Sequence, residues 1–191
     1  MPTLYHWTIH REAIEQSGFI KRELETGFVS PDGFDLNCVW FTQNEKFAGA
    51  SASLQMCLMD TVTRAFDMHG RQLNDGEIDK YVQLDDTPEI RTCFAFESAD
   101  IGAQLWTRYK TKWMGISPKK RAYIRELDIK STLNGDDVND YWVTDTNVDI
   151  KKARVHRMIK ASQIDLLHYY GYRSVSDCYN KIKPKLLRAM R

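Results

Sequence analysis

The residues near the start of the chain that are best suited to chemistry are a histidine and its aromatic neighbours. His6 lies between Tyr5 and Trp7, and an imidazole in such a setting can both donate and accept a hydrogen bond. Aromatic and β-branched residues crowd this segment, which predicts a short strand ending at Thr8. A histidine among aromatic residues can equally be a packed core residue that makes one hydrogen bond. The remaining histidines fit surface or helix-end positions: His10, His69, His156 and His168.

A second segment of the same kind begins about 30 residues later, at Cys38-Val39-Trp40-Phe41-Thr42. Each strand is followed by a helical pattern, over Ile9–Ser17 before Gly18 and over Gln43–Met59 behind Asn44. Because a strand leads directly into a helix twice, we expect a cleft at the strand ends, with His6 beside it.

Several common catalytic motifs are absent from the sequence. There is no phosphate-binding loop, no dinucleotide-binding glycine fingerprint, no His-Glu-x-x-His and no nucleophile elbow. The four cysteines are widely spaced, which predicts reduced thiols and no zinc site: Cys38, Cys57, Cys93 and Cys178. The sequence therefore disfavours P-loop nucleotide hydrolysis, zinc proteolysis and triad hydrolysis.

Length and charge bound the organisation of the chain. Its 191 residues suit one domain with at most a small appendage. It contains neither a signal peptide nor an apolar run of about 18 residues, so we expect a cytoplasmic protein without a membrane span. Residues 1–150 hold 16 Lys and Arg against 24 Asp and Glu, whereas residues 151–191 hold 11 against 2. This basic end could bind an acidic partner, dock on the acidic body, or simply be solvated.

The mixed order of predicted strands and helices along the chain predicts an α+β fold class. Residues 68–87 are polar and predict an exposed insertion. Further strands are predicted over residues 90–97, 141–144 and 153–159. Further helices are predicted from 99 to about 113, after Ser162, and from Ser174 or Ser176 through Leu186, where Pro184 limits the helix.

Three segments together resemble the ADP-ribosyltransferase superfamily, in its diphtheria-toxin and poly(ADP-ribose) polymerase-like branch of the His-Tyr-Glu type. Leu4-Tyr5-His6-Trp7-Thr8 resembles the first motif, an apolar strand ending in His-x-Thr. Val39-Trp40-Phe41-Thr42 resembles the second, with Trp40 where the family usually has Tyr. Asp140-Tyr141-Trp142-Val143-Thr144-Asp145 resembles the third, with Asp140 where the family usually has Glu.

The resemblance implies a split β-sandwich of two small sheets with flanking helices, and NAD as substrate in the cleft between them. It implies catalytic roles for Asp140, which would stabilise the positive charge that develops on ribose, and for His6, which would hold a ribose hydroxyl. It implies NAD-binding roles for a further set of residues without any metal: Trp7, Thr8, Trp40, Phe41, Thr42 and Ser51. Among them, the Trp7 backbone and Ser51 would bind the nicotinamide amide, and Trp40 would pack on its ring.

Structural interpretations of the same residues stay open. Trp40 and Phe41 suit an ordinary buried strand, and Thr8 suits a helix N-cap. Asp140 could end a solvated acidic turn. A different alignment would put Arg154-Val155-His156 at the third motif, which would leave no acid there.

The resemblance implies an ADP-ribosyltransferase-like domain over residues 1–160 and a basic helical appendage, packed on it, over residues 161–191. The implied function is NAD-dependent mono-ADP-ribosylation of a macromolecule, a protein rather than a nucleic acid, as in a bacterial or phage effector or toxin. The alternatives are a catalytically inactive interaction module on the same fold, NAD hydrolysis without transfer, and a tRNA 2′-phosphotransferase-like reaction.

Overall fold

A computed structural model describes residues 1–22, 37–45, 71, 73–114, 118, 121, 124–125, 128, 137–169 and 171–189. Several predicted features lie outside these residues. They are Ser51, Cys57, His69, residues 68–70 and 72 of the predicted insertion, and the helix over Gln43–Met59 apart from its first three residues. Those three residues, 43–45, are not helical.

The described residues form a mixed α+β structure with two antiparallel sheets, which confirms the predicted class. The strands are β1 (Thr3–Thr8), β2 (Phe19–Ile20), β3 (Val39–Thr42), β4 (Glu89–Glu97), β5 (Gln104–Leu105), β6 (Tyr141–Thr144), β7 (Val148–Asp149) and β8 (Arg154–Ala161). One sheet has six strands in the order β5-β6-β3-β1-β4-β8, and the other pairs β2 with β7. The two sheets are therefore unequal in size.

Residues 118, 121, 124–125 and 128 are helical. The helices whose bounds the structure describes are short, apart from the last. They are α1 (Arg11–Ser17), α2 (Asp75–Tyr81), α3 (Trp106–Tyr109), α4 (Thr111–Met114), α5 (Gln163–Tyr169) and α6 (Val175–Ala189). Where the structure describes the chain, two 3₁₀ turns cover Val138–Asp140 and Ile150–Lys152. Helix α1 ends as predicted at Gly18, whose φ of 75° is left-handed and whose N–H donates to the Ile14 carbonyl. Helix α6 continues through Pro184, so that residue does not end it.

Each face of the six-stranded sheet carries its own apolar cluster, because alternate residues of a strand point to opposite faces. One cluster contains Leu4 of β1 and Phe41 of β3, together with Ile14 of α1. The other contains Val143 of β6 with Trp106 of α3, and Trp40 is partly buried against it. We call these the α1 face and the α3 face.

The cross-strand register fixes which motif residues are neighbours. Tyr5 of β1 lies opposite Thr42 of β3, and Phe41 lies opposite Trp142 of β6. On the other side of β1, His6 lies opposite Phe94 of β4. The three motif strands β1, β3 and β6 are thus consecutive in the sheet, although more than 100 residues separate the first from the last.

The prediction of a single helix from residue 99 to about 113 is wrong. The chain instead makes a turn at Ser98–Gly102, the short strand β5, and then helices α3 and α4. Gly102 has a φ of 61°, which ends any continuous helix, and Leu105 pairs with Trp142 in the sheet. Ser98 is not a helix cap, because residues 98–102 form a turn and the next helix begins only at Trp106.

The chain divides into two compact units that differ from the predicted domains. Unit 1 comprises residues 1–49 and 91–159, and unit 2 comprises residues 50–90 and 160–191. The stretch predicted as an exposed insertion contributes helix α2 to unit 2, with Ile78 only 1% exposed. A reciprocal capping box between Asn74 and Glu77 starts this helix.

Unit 2 is held together by side-chain caps as well as by its apolar residues. The Asp79 carboxylate of α2 accepts hydrogen bonds from the Ser176 N–H and hydroxyl at the start of α6, at 2.8 and 2.9 Å. Ser162 caps α5 as predicted, because its hydroxyl accepts the Asp165 N–H at 3.1 Å. Within the described part of the chain, no helix is both long enough and apolar enough to span a membrane.

Candidate functional site

His6 is held in one orientation by the backbone of the neighbouring strand. Its Nδ1 lies 2.9 Å from the Trp40 carbonyl oxygen. Because a carbonyl can only accept, Nδ1 carries the proton in this hydrogen bond, and a neutral ring then has a free electron pair on Nε2. Burial lowers the pKa of His6 below its ordinary value of 6.5, and the bond to Trp40 only partly opposes that shift. At neutral pH the ring is therefore a hydrogen-bond acceptor at Nε2.

The His6 ring and the Trp40 ring lie on opposite faces of the sheet. His6 is two residues from Leu4, so it belongs to the α1 face, and its ring centroid is 5.7 Å from that of Phe41. The Trp40 ring lies on the α3 face, 4.7 Å from the Trp106 ring. The structure thus joins the two predicted residues through a backbone hydrogen bond but does not bring their rings together.

Trp40 and Phe41 are both packed as core residues. Phe41 is only 2% exposed and meets Phe96 edge-on at a centroid distance of 5.6 Å. Trp40 belongs to an aromatic cluster that Asp128 anchors by accepting the indole N–H of Trp106 at 2.8 Å. These contacts agree with the alternative that Trp40 and Phe41 are ordinary residues of a buried strand, because aromatic pairs stabilise cores beyond the area they bury.

The hydroxyls of Thr8 and Thr42 accept equivalent hydrogen bonds at the ends of their strands. The Thr8 hydroxyl accepts the His10 N–H at 2.9 Å, and the Thr42 hydroxyl accepts the Asn44 N–H at 3.0 Å. Each threonine thereby turns the chain out of the sheet two residues later. Thr8 is not the N-cap of α1, since that position is His10.

Trp7, whose backbone the resemblance assigns to nicotinamide, lies within the β1–β4 ladder. It pairs with Cys93, and its side chain alternates with that of His6 along the strand. The Trp7 side chain is therefore on the α3 side of the sheet, half-buried.

Asp140 stands at the point where the third motif strand begins. It ends the 3₁₀ turn Val138–Asp140, and β6 starts at the next residue. Its carbonyl accepts the Gln43 N–H at 2.9 Å, which extends the β3–β6 ladder by one bond. The side chain is half-buried. Asp140 is thus fixed in register with the chain that leaves β3.

His6 and Asp140 are near each other without touching. Asp140 lies two strands away from His6 and two residues further along the ladder. With strands about 4.8 Å apart and a rise of about 3.4 Å per residue, their Cα atoms are separated by about 12 Å. The two side chains could therefore act together only through a ligand that lies between them.

The alternative alignment at Arg154-Val155-His156 falls on a different part of the sheet. These residues open β8, which β1 and β4 separate from β3. The strand beside β3 is β6, and it is the strand that Asp140 precedes. Asp140 therefore precedes a strand that neighbours β3, whereas Arg154-Val155-His156 does not lie on one.

A second polar group lies on the opposite face of β1, and no local sequence pattern predicts it. His156 Nε2 lies 3.4 Å from a carboxylate oxygen of Glu45, and the His156 ring is 5.0 Å from the Tyr5 ring. Tyr5 alternates with His6, so period-2 alternation alone puts it on the other face. Its meeting with His156 depends on the position of β8, which no local pattern specifies.

Among the described residues, no group of three or more His, Cys, Asp or Glu side chains is placed to hold a metal ion.

No protein-family model, curated protein or solved structure matches this chain.

Proposed function

We propose that this protein is an NAD-dependent mono-ADP-ribosyltransferase that acts on a macromolecule, a protein rather than a nucleic acid, in the cytoplasm. One observation carries the proposal. The three segments that resemble the family's motifs are far apart in sequence, yet their strands β1, β3 and β6 lie side by side in one sheet. A chance similarity of three short segments does not require that adjacency.

The residues present fit NAD at two points. The Nε2 atom of neutral His6 can accept a hydrogen bond from a ribose hydroxyl, because its Nδ1 proton is already committed to Trp40. The Asp140 carboxylate can stabilise the positive charge that develops on ribose as the bond to nicotinamide breaks. NAD contains two riboses, so a separation of about 12 Å between the two residues is compatible with one contact to each.

The role of Trp40 in this proposal differs from the one that the resemblance implies. Its ring lies on the α3 face, away from the imidazole of His6. We therefore assign Trp40 a positioning role, in which its carbonyl fixes the tautomer and orientation of His6. The proposed catalytic residue is Asp140, and the proposed binding residue is His6.

The test is incubation with labelled NAD and a cell lysate, reading both labelled macromolecules and free nicotinamide. The proposal expects label from the unmodified protein and its loss in Asp140→Asn and in His6→Ala. Asp145→Asn is the matched control, because Asp145 is an exposed carboxylate just beyond the other end of β6. Nicotinamide without labelled macromolecule would identify a hydrolase instead, and neither product would refute the proposal.

A specific observation favours an inactive interaction module as the second candidate. The aromatic residue of the second motif is packed in a core cluster with Trp106, on the face opposite His6. A protein that has lost NAD binding could keep this aromatic packing unchanged, because the packing serves the core. The inactive module predicts no NAD binding by calorimetry, and the same stability change for Asp140→Asn with or without NAD.

A further inference from the structure

The outermost strand at one side of the six-stranded sheet carries a dense positive charge. Strand β8 spans eight residues, Arg154–Ala161, and is last in the strand order, beside β4. From Ile150 to Ile164 the chain contains five Lys and Arg residues and no Asp or Glu. Most β8 side chains are exposed, including those of Arg154 and Arg157.

Two apolar side chains on the same strand are exposed among these charges. Val155 is 47% exposed and Met158 is 53% exposed. Solvent-facing edge strands normally avoid exposed apolar side chains, because an edge that carries them recruits other chains. Each face of the strand carries a basic and an apolar residue, because Arg154 and Met158 point to one face and Val155 and Arg157 to the other. The outer backbone edge of β8 has no partner among the described residues.

The charge on β8 argues against its pairing with a second copy of itself. Antiparallel pairing of two β8 strands would bring arginines and lysines of one copy against those of the other, which is unfavourable. An acidic strand has the complementary charge. The edge therefore selects against self-association and for a partner of opposite sign.

The backbone of β8 favours a polypeptide over a nucleic acid as that partner. An edge strand presents alternating N–H donors and C=O acceptors, and an extended peptide can satisfy both kinds. A phosphate backbone supplies acceptors for the N–H groups but has no donor for the carbonyls. Val155 and Met158 are exposed apolar groups on opposite faces of the strand, and an extended peptide presents side chains to both faces.

We propose that β8 is a docking edge for an extended, acidic polypeptide segment, which adds to the sheet as a further antiparallel or parallel strand. On one face of the added strand an acidic side chain pairs with Arg154 and an apolar one covers Met158, and on the other face an acidic side chain pairs with Arg157 and an apolar one covers Val155. This inference does not depend on NAD chemistry, since binding alone defines it.

The test measures binding of a fluorescent Glu-Val peptide to the full chain by anisotropy. Its eight residues, Glu-Val-Thr-Glu-Val-Thr-Glu-Val, place both Glu and Val on each face of an extended strand. Arg154→Glu/Arg157→Glu is expected to weaken binding by about tenfold or more, since exposed charge pairs each contribute modestly and both are reversed. Lys21→Glu/Arg108→Glu is the matched control: it makes the same change in net charge at exposed positions outside β8, and it should leave the affinity unchanged.

Three further probes separate strand addition from other kinds of binding. The same peptide with every backbone nitrogen methylated should bind at least about tenfold more weakly, because it cannot donate to the β8 carbonyls. Equal affinity for the methylated peptide would overturn strand addition. Tighter binding of a single-stranded oligothymidine would overturn the choice of a polypeptide, and no binding of the Glu-Val peptide would overturn the docking edge itself.

Discussion

Two buried threonines in unit 1 have opposite hydrogen-bonding states and should respond oppositely to the same substitution. Thr92 of β4 is 0% exposed, and its hydroxyl has no hydrogen-bond partner among the described residues. Thr42 of β3 is 3% exposed, and its hydroxyl accepts the Asn44 N–H at 3.0 Å. Replacement by valine removes the hydroxyl in both cases and leaves a side chain of almost the same shape.

The expected changes in the free energy of unfolding follow from those two states. A buried hydroxyl without a partner costs about 1–3 kcal/mol, so Thr92→Val should stabilise the protein by about 1 kcal/mol. Thr42→Val removes the acceptor of a local hydrogen bond and should destabilise by about 1 kcal/mol. The two variants should therefore differ by about 2 kcal/mol, or about 4–8 °C in melting temperature for a chain of this size.

Urea unfolding followed by circular dichroism measures both changes directly. The slope of the transition should be the same for both variants, because neither alters the surface exposed on unfolding. Destabilisation by Thr92→Val as large as that by Thr42→Val would refute the reasoning, since it would mean that both hydroxyls make useful hydrogen bonds.

Three other predictions concern the site and its surroundings. Burial lowers the folded-state pKa of His6 below 6.5, so the contribution of His6 to stability is present above that pH and is lost as the pH falls. Urea midpoints measured from about pH 7 down to about pH 5 should therefore fall more steeply for the unmodified protein than for His6→Gln. Burial raises the pKa of the Cys93 and Cys178 thiols to about 12, so mass spectrometry at about pH 8 should find iodoacetamide adducts at both only after unfolding in urea. Trp40→Ala should destabilise by about 2–4 kcal/mol in urea unfolding, because it empties part of an aromatic cluster, whereas Trp40→Phe should cost less than half as much.

The strands and the class of the fold could be predicted from local composition. Aromatic and β-branched residues identified β1, β3 and β6 to within one or two residues, and Gly18 identified the end of α1. These signals are local, because each depends on the preferences of a few consecutive residues.

The face on which each site residue lies could not be predicted in the same way. Alternation along β1 puts His6 with Leu4, and alternation along β3 puts Trp40 with Cys38. How those two sets meet depends on the register between the strands, and a shift of one residue exchanges the faces completely. The sequence therefore grouped His6 with Trp40, whereas the register groups His6 with Phe41.

Helices were the less predictable elements, for two different reasons. Apolar residues at helical spacing after Ser98 suggested one long helix, but pairing of Leu105 with Trp142 drew part of that stretch into the sheet. Helix α2 was missed although Asn74 and Glu77 form a readable capping box, because glycine and acidic residues nearby suggested an exposed loop. Tertiary pairing overrode the first pattern, and a local signal was overlooked in the second.

The most direct test of the proposed activity is the rate of nicotinamide release from NAD by Asp140→Asn and Asp145→Asn, each compared with the unmodified protein. We predict that Asp140→Asn reduces the rate by about 100-fold or more, as loss of a group that stabilises developing charge typically does, while Asp145→Asn leaves it unchanged. Equal rates for the two variants, or no nicotinamide from the unmodified protein, would contradict the proposal.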